Sequence, residues 1–326
     1  MLHLRCGSDI EPALGAAGLP GGFLAYADPV AQGPTPLTST ADEFHRLRAG
    51  FLADAYGVPV DDALARLATA DAALALAGVE DEVVLWFEHD LFDQAVLVRL
   101  LAHFAAAPRR PRWLSLVTLD AHPEIERFLG LGQLDAPQLA ALFARRVPVG
   151  DAALALGRRA WEAWRAPTPL ALQALLDADT GALPFLAGAV RRLLEELPWT
   201  TDGLALTERL ALEGLEAGHT RARALFAWVQ ARERAPWLGD AMFFYVLRTL
   251  DEGAEPLLRA RGEWPRLDGT GGDPALALTE TGARVLAERE DRVRCCGVDR
   301  WVAGTWLEGR EVAWRWDPAQ RRVVRG

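Results

Sequence analysis

Glu82-Val83-Val84-Leu85-Trp86-Phe87-Glu88-His89-Asp90-Leu91-Phe92-Asp93-Gln94 is the stretch whose reading decides the fold. Its first half is a short apolar run, which reads as a buried strand. Its second half crowds Glu88, His89, Asp90, Asp93 and Gln94 into a few positions, and a largely apolar run from Leu91 to Phe104 then reads as a helix. Strand, polar turn, helix is the place where open α/β sheets put their ligand sites.

The flanking sequence repeats this alternation. Leu2 to Cys6 reads as a strand ending in Gly7-Ser8-Asp9, where Ser8 or Asp9 can cap a helix from Ile10 to Ala17. Gly22 to Tyr26 reads as a second strand, ending at Asp28-Pro29 and a Gln32-Gly33-Pro34 turn. Helices are expected over Thr40 to Ala55 and Val60 to Ala77, the first with Thr40 and Glu43 spaced as a capping box. Trp113 to Leu119 is a further strand, ending at Asp120-Ala121-His122-Pro123. Strands alternating with helices predict an α/β fold: a small, mainly parallel sheet with flanking helices, over residues 1–147.

Residues 148–203 read as a helical connector, with Leu186, Val190, Leu193, Leu194 and Leu197 as its apolar stripe. Residues 204–292 read as a winged-helix-like domain. Thr207 and Thr220 are expected to cap its first two helices, a third runs from Ala241 to Leu250, and two short strands flank a Gly-rich loop. Residues 293–326 read as a β-hairpin tail, with Trp301–Leu307 joined to Glu311–Trp316 through Glu308-Gly309.

Composition narrows the chemistry. A hydrophobic fraction of 51% is ample for a packed core, and no apolar run is long enough to span a bilayer. No signal-peptide pattern opens the chain, so a cytoplasmic location is the expectation. Cys6, Cys295 and Cys296 form neither a disulfide framework nor a zinc spacing. The 35 basic residues are all arginine, which excludes a Walker-type phosphate loop and Schiff-base chemistry. A net charge of −10 argues against a large nucleic-acid footprint. Residues 204–291 repeat that balance, with 11 Arg against 15 Asp and Glu, so a protein partner suits this segment better than DNA.

In a parallel sheet the strand ends share one edge, and here each predicted strand ends in an acid: Asp9, Asp28, Glu88 with Asp90, and Asp120. Such a set suits a divalent cation through oxygen ligands. It equally suits ribose hydroxyls, as in dinucleotide folds. His89 beside Glu88 and Asp90 suits general acid–base work. Gly7, Ser8, Asp9, Asp28, Asp93 and Gln94 would line the same site as ligand-binding groups. The competing reading is local: Asp is a favoured helix N-cap, and Asp90 alone would start the Leu91 helix.

The chain resembles a bacterial family defined only as a domain of unknown function (DUF1835-like). The likeness runs through Gly7-Ser8-Asp9, Asp28 with Gly33-Pro34, Trp86 to Gln94, Gly130-Leu131-Gly132-Gln133-Leu134 and Leu183-Pro184-Phe185-Leu186. It continues through Thr207-Glu208, Asp299-Arg300-Trp301 and Trp314-Arg315-Trp316-Asp317. The resemblance implies a shared architecture and no particular activity. The acidic strand ends give the expectation of an enzyme that binds a small molecule or nucleotide at that sheet edge. The alternative is a non-catalytic regulatory or adaptor protein.

Overall fold

The computed structural model describes residues 1–326. In chain order its first half runs β1 (Leu2–Arg5), α1 (Glu11–Ala16), β2 (Gly22–Ala25), α2 (Ala41–Tyr56), α3 (Val60–Ala77) and β3 (Glu82–Glu88). It continues with α4 (Leu91–Ala106), β4 (Trp113–Leu119), α5 (Ala136–Ala144), β5 (Val147–Pro148) and α6 (Asp151–Trp164). The strands make one five-stranded sheet in the order β2-β1-β3-β4-β5. The first four are parallel and β5 is antiparallel, so the sheet is mainly parallel as expected. Sequence reading missed β5, whose two residues carry no period of their own.

The strand order contains a reversal. From β1 the chain moves outward to β2, then returns past β1 to lay β3 on the other side. By the right-handed crossover rule, this reversal puts the helix after β1 and the helix after β3 on opposite faces of the sheet. Ile10 and Leu14 of α1 and Leu139 of α5 pack with Val84, Trp86 and Val117 on one face. Val83, Leu85 and Phe87 point to the other face, and all five central residues of β3 are fully buried. This double burial is why β3 reads as an unbroken apolar run rather than an alternating one.

The division of the chain into compact units does not follow its linear order. One unit comprises Met1–Ala31, Leu64–Ala163 and Leu175–Ala189; the other comprises Gln32–Ala63, Trp164–Ala174 and Val190–Gly326. The α2 segment, expected with the sheet, thus belongs to the second unit. The expected connector is shared between both.

The chain continues with α7 (Leu170–Leu176) and α8 (Leu186–Leu194), each divided between the units, and with α9 (Leu206–Glu216), α10 (Ala222–Arg232) and α11 (Asp240–Asp251) of the second unit. Then come β6 (Leu258–Arg261), β7 (Ala275–Leu278), α12 (Glu280–Leu286), α13 (Arg292–Cys296) and four tail strands, β8 (Val298–Val302), β9 (Thr305–Gly309), β10 (Trp314–Asp317) and β11 (Arg322–Arg325). Strands β6 and β7 pair antiparallel, and Arg221 bridges to Ala275 beside them. Phe51 and Tyr56 of α2 pack edge-on against Tyr245 of α11, and the Arg248 guanidinium donates to the Ala55 carbonyl.

Three local expectations are corrected. The tail forms two hairpins, β8–β9 turning at Ala303-Gly304 and β10–β11, rather than one turning at Glu308-Gly309. Ala303 adopts a positive φ of 54°, so the tight turn falls where no Asn-Gly signal marks it. Thr207 lies inside α9, where its hydroxyl donates to Glu196 at 2.6 Å, and the N-cap is Ala205. Thr220 does not cap α10, whose N-cap is Arg221. Thr40, by contrast, caps α2 as expected, accepting from the Glu43 amide at 3.1 Å. No helix is long and apolar enough to cross a membrane.

Candidate functional site

The site lies where β1 and β3, neighbours in the sheet, end side by side. This is the reversal point of the strand order, the crevice where open α/β sheets bind ligands. β3 delivers Glu88 at its last residue, and α4 begins three residues later. Asp90 is the N-cap of α4, its Oδ1 accepting from the amides of Phe92 at 2.8 Å and Asp93 at 3.1 Å. Asp93, in the first turn, folds back to accept the Glu88 amide at 2.8 Å. Gln94 donates to the Glu88 carbonyl at 2.5 Å. The tight turn therefore satisfies its own backbone and leaves three carboxylates facing one another. Ligand oxygens of Glu88, Asp90 and Asp93 all lie within 4.8 Å, and all three residues are buried.

Arg5, the last residue of β1, reaches into this group. It grips Asp9 with Nε at 2.7 Å and Nη2 at 3.0 Å, and it meets Glu88 Oε1 at 2.6 Å. Its Nη1 stands 3.5 Å from Asp93. Leu131 donates its amide to the same Glu88 oxygen, so the Gly130–Leu134 segment lies over the crevice. The two glycines permit that approach. A Cβ on Gly130 would lie 2.8 Å from Glu88 Oε1, and one on Gly132 would lie 2.6 Å from Asp9 Oδ2.

The electrostatics follow from counting. Asp9, Glu88 and Asp93 share one bonded cation, Arg5, and Asp90 lies beside Glu88 and Asp93 in the same buried cluster with no cation bonded to it. Burial, then the neighbouring Asp93 charge, pushes the Glu88 carboxyl up to about 7. Burial, with Asp93 and Glu88 beside it, holds Asp90 well above the usual carboxylate range. Burial also raises Asp93, against the pull of Arg5. The Cys6 thiol, which donates to Asp93 at 3.1 Å, is raised by burial first and by Asp93 second, and so stays a neutral donor.

A pH dependence follows. Glu88 titrates near its ordinary 4.5 in the unfolded chain and near 7 in the folded one. Between those values the folded state holds more protons, so stability falls as pH rises through that window. The contribution is complete below 4.5 and gone above 7. The raised carboxyls of Asp90 and Asp93 act with the same sign. Lowering the pH from about 7.5 to about 5.5 is therefore expected to raise the melting temperature, and Glu88→Gln to flatten the rise. An identical slope in the variant would show that Glu88 does not hold the proton.

The residues singled out from sequence separate into three groups. Asp9, Glu88, Asp90, Asp93 and Gln94 come together. His89 sits beside them, its ring 6.0 Å from Phe185 and 6.4 Å from Phe128. Gly7 adjoins the cluster through Asp9, whereas the Ser8 side chain is exposed and caps nothing, the N-cap of α1 being Ile10. Asp28 and Asp120 are corrections. Asp120 is exposed at the surface. Asp28 is buried and held by Arg99 at 2.6 Å, in a second network with Asp71 and Tyr26. Two buried arginines carry these networks without having been singled out from sequence, and each had a signal. Arg5 is a charge ending a strand beside a buried one, and Arg99 is an isolated charge in an apolar helix; buried charges are rarely left unpaired.

No protein-family model matches the chain, and comparison with curated proteins finds no match.

Proposed function

We propose that the chain is an enzyme of the cytoplasm that binds a small molecule or nucleotide at the crevice between β1 and β3, with a divalent cation as its partner. One observation carries this: a buried Glu88–Asp90–Asp93 cluster at the reversal point of a parallel sheet, with more carboxylates than cations. A structural cap needs one carboxylate, and this turn buries three. Hard oxygen donors of this kind suit magnesium, manganese or calcium. With no cation bound, burial and Asp93 push Glu88 up to about 7, the range of a general acid or base at neutral pH, and a bound cation would lower it. His89 flanks it. Asp9, whose side chain is 45% exposed, marks the side from which a ligand reaches the cluster. The resemblance to the DUF1835-like family belongs to the same proposal and adds no chemistry to it.

The test separates capping from binding. Asp90→Ser keeps a good N-cap and removes the carboxylate. The wild type is expected to gain melting temperature with millimolar magnesium, manganese or calcium, as any ligand of the folded state would cause. Asp90→Ser should keep its stability and bind the cation at least about tenfold more weakly, the ~1.4 kcal/mol of one lost charged contact. Asp90→Ala should cost about 1 kcal/mol of stability as well. Calorimetry showing equal affinity in Asp90→Ser would leave Asp90 as a cap only.

The adaptor reading draws on the second unit. Three helices, α9 to α11, followed by the β6–β7 hairpin and the Arg221 bridge support a winged-helix arrangement. Its third helix, which would enter a DNA groove, is engaged instead by α2 through Tyr245 and Arg248. We expect no measurable binding of the whole chain to duplex DNA at physiological salt. A micromolar affinity with a steep salt slope in a gel-shift series would overturn that.

A further inference from the structure

The second unit contains a cleft of about 380 Å³ whose chemistry is opposite to that of the acidic crevice. Arg289, Arg294 and Arg325 line it, together with Thr200 and Thr201. Glu288, Glu290 and Asp291 line it too, and their partners decide its net character. Asp291 is held by Arg315 at 2.6 and 3.1 Å, and its Oδ1 also accepts the Arg294 amide at 3.0 Å. Glu290 is held by Arg284 at 2.9 Å, from outside the cleft. Glu288 is met by Arg209 at 3.4 Å, an arginine it shares with Asp202.

That commits Arg315 to Asp291, which Arg294 also attracts, and leaves three of the four lining arginines, Arg289, Arg294 and Arg325, without an ion pair. Arg289 and Arg294 make no ion pair, and Arg325 rests over the Trp314 ring at 5.2 Å. Guanidinium groups free of ion pairs on separate segments, lining one concavity in a chain of net charge −10, do not arise from a general basic bias. The backbone adds to this. Glu288 adopts a positive φ of 57° just past the end of α12, a conformation that costs a non-glycine residue and sets the path of the loop carrying Arg289.

We propose that this cleft binds the phosphate group of a small phosphorylated molecule. Three planar donors and two hydroxyls approaching from different segments match a tetrahedral dianion better than a planar carboxylate. The volume suits a mononucleotide-sized ligand, since small-molecule sites begin at roughly 300 Å³. An extended nucleic-acid backbone is disfavoured, because the chain carries a net charge of −10 and three carboxylates, Glu288, Glu290 and Asp291, interrupt the arginines that line the cleft. The site is independent of the acidic crevice and of the enzymatic reading placed there.

The experiment is calorimetric titration of the whole chain with inorganic pyrophosphate and with inorganic phosphate, at low salt. Pyrophosphate is expected to bind with a dissociation constant tighter than about 1 mM. The double variant Arg289→Gln/Arg294→Gln should bind at least tenfold more weakly with an unchanged melting temperature, because neither side chain is ion-paired in the fold. Arg145→Gln, an exposed arginine in the other unit, should bind as the wild type does. Absence of heat up to about 10 mM pyrophosphate, or equal affinity in the double variant, would overturn the proposal. A short DNA duplex that binds more tightly than pyrophosphate, and loses that binding in the same variant, would overturn it in favour of a nucleic-acid surface.

Discussion

Arg5→Met is expected to destabilise the protein by about 3–5 kcal/mol near pH 7.5, the usual result of removing one partner from a buried ionic group. Arg5 is almost wholly buried, with a side chain 5% exposed, and it contacts Asp9, Glu88 and Asp93 together. Its removal leaves those carboxylates facing one another with no cation between them. Methionine matches the length of the stem, so the loss comes from charge and hydrogen bonding rather than from a large cavity. The effect should shrink as pH falls toward about 5, because Glu88 then carries a proton and the repulsion it relieves is gone. Urea unfolding at the two pH values measures both statements. A loss below about 1 kcal/mol at pH 7.5 would mean that the carboxyls are already neutral there and need no counter-charge.

Gly130→Ala should give the second large effect, a loss of about 1–3 kcal/mol from overpacking. The new Cβ would fall 2.8 and 2.9 Å from the two Glu88 oxygens. Glu88 cannot swing aside, since Arg5 and the Leu131 amide both hold its Oε1. The Gly130–Leu134 segment must lift instead, which breaks the Leu131 bond and opens the crevice. Gly132→Ala is the paired control. Its Cβ would fall 2.6 Å from Asp9 Oδ2, a shorter approach, yet Asp9 is half-exposed and free to rotate outward. The expected cost is under about 1 kcal/mol, and hydrogen exchange at the Leu131 amide should speed up in the Gly130 variant only. If Gly132→Ala proves the more damaging, the strap is anchored at Asp9 rather than at Glu88.

Both predictions turn on residues that a linear reading weighs unequally. Glu88, Asp90, Asp93 and Gln94 stood out because they interrupt an apolar run at a strand–helix junction, a purely local signal. Gly130-Leu131-Gly132-Gln133-Leu134 reads locally as a glycine-flanked turn before a helix, either a plain loop or a cover for the site. Its glycines acquire their meaning from carboxylates 42 or more residues away, as the Leu131–Glu88 separation of 43 shows. Arg5 is 83 residues from Glu88, and nothing near it in the chain announces a partner. Asp28 shows the converse: as a strand-end acid it reads as part of the shared cluster, but Arg99, 71 residues on, holds it in a network of its own.

Sequence by itself determined the elements of the sheet and their type. The β4 and α3 bounds agree with the periodicity to the residue, and β3 is recognisable from its double burial. Hydrophobic period and capping chemistry are properties of a few neighbouring residues, so they can be read without the fold. Only the tertiary structure decided the strand order, which puts Glu82–Glu88 beside Leu2–Arg5 and so makes an acidic turn into a charge cluster around Arg5. Only it decided, too, that α2 belongs with α11, through an Arg248–Ala55 contact across 193 residues. Contacts at such separations form because several weak local preferences are satisfied together by one packing, and no single segment carries a record of that choice.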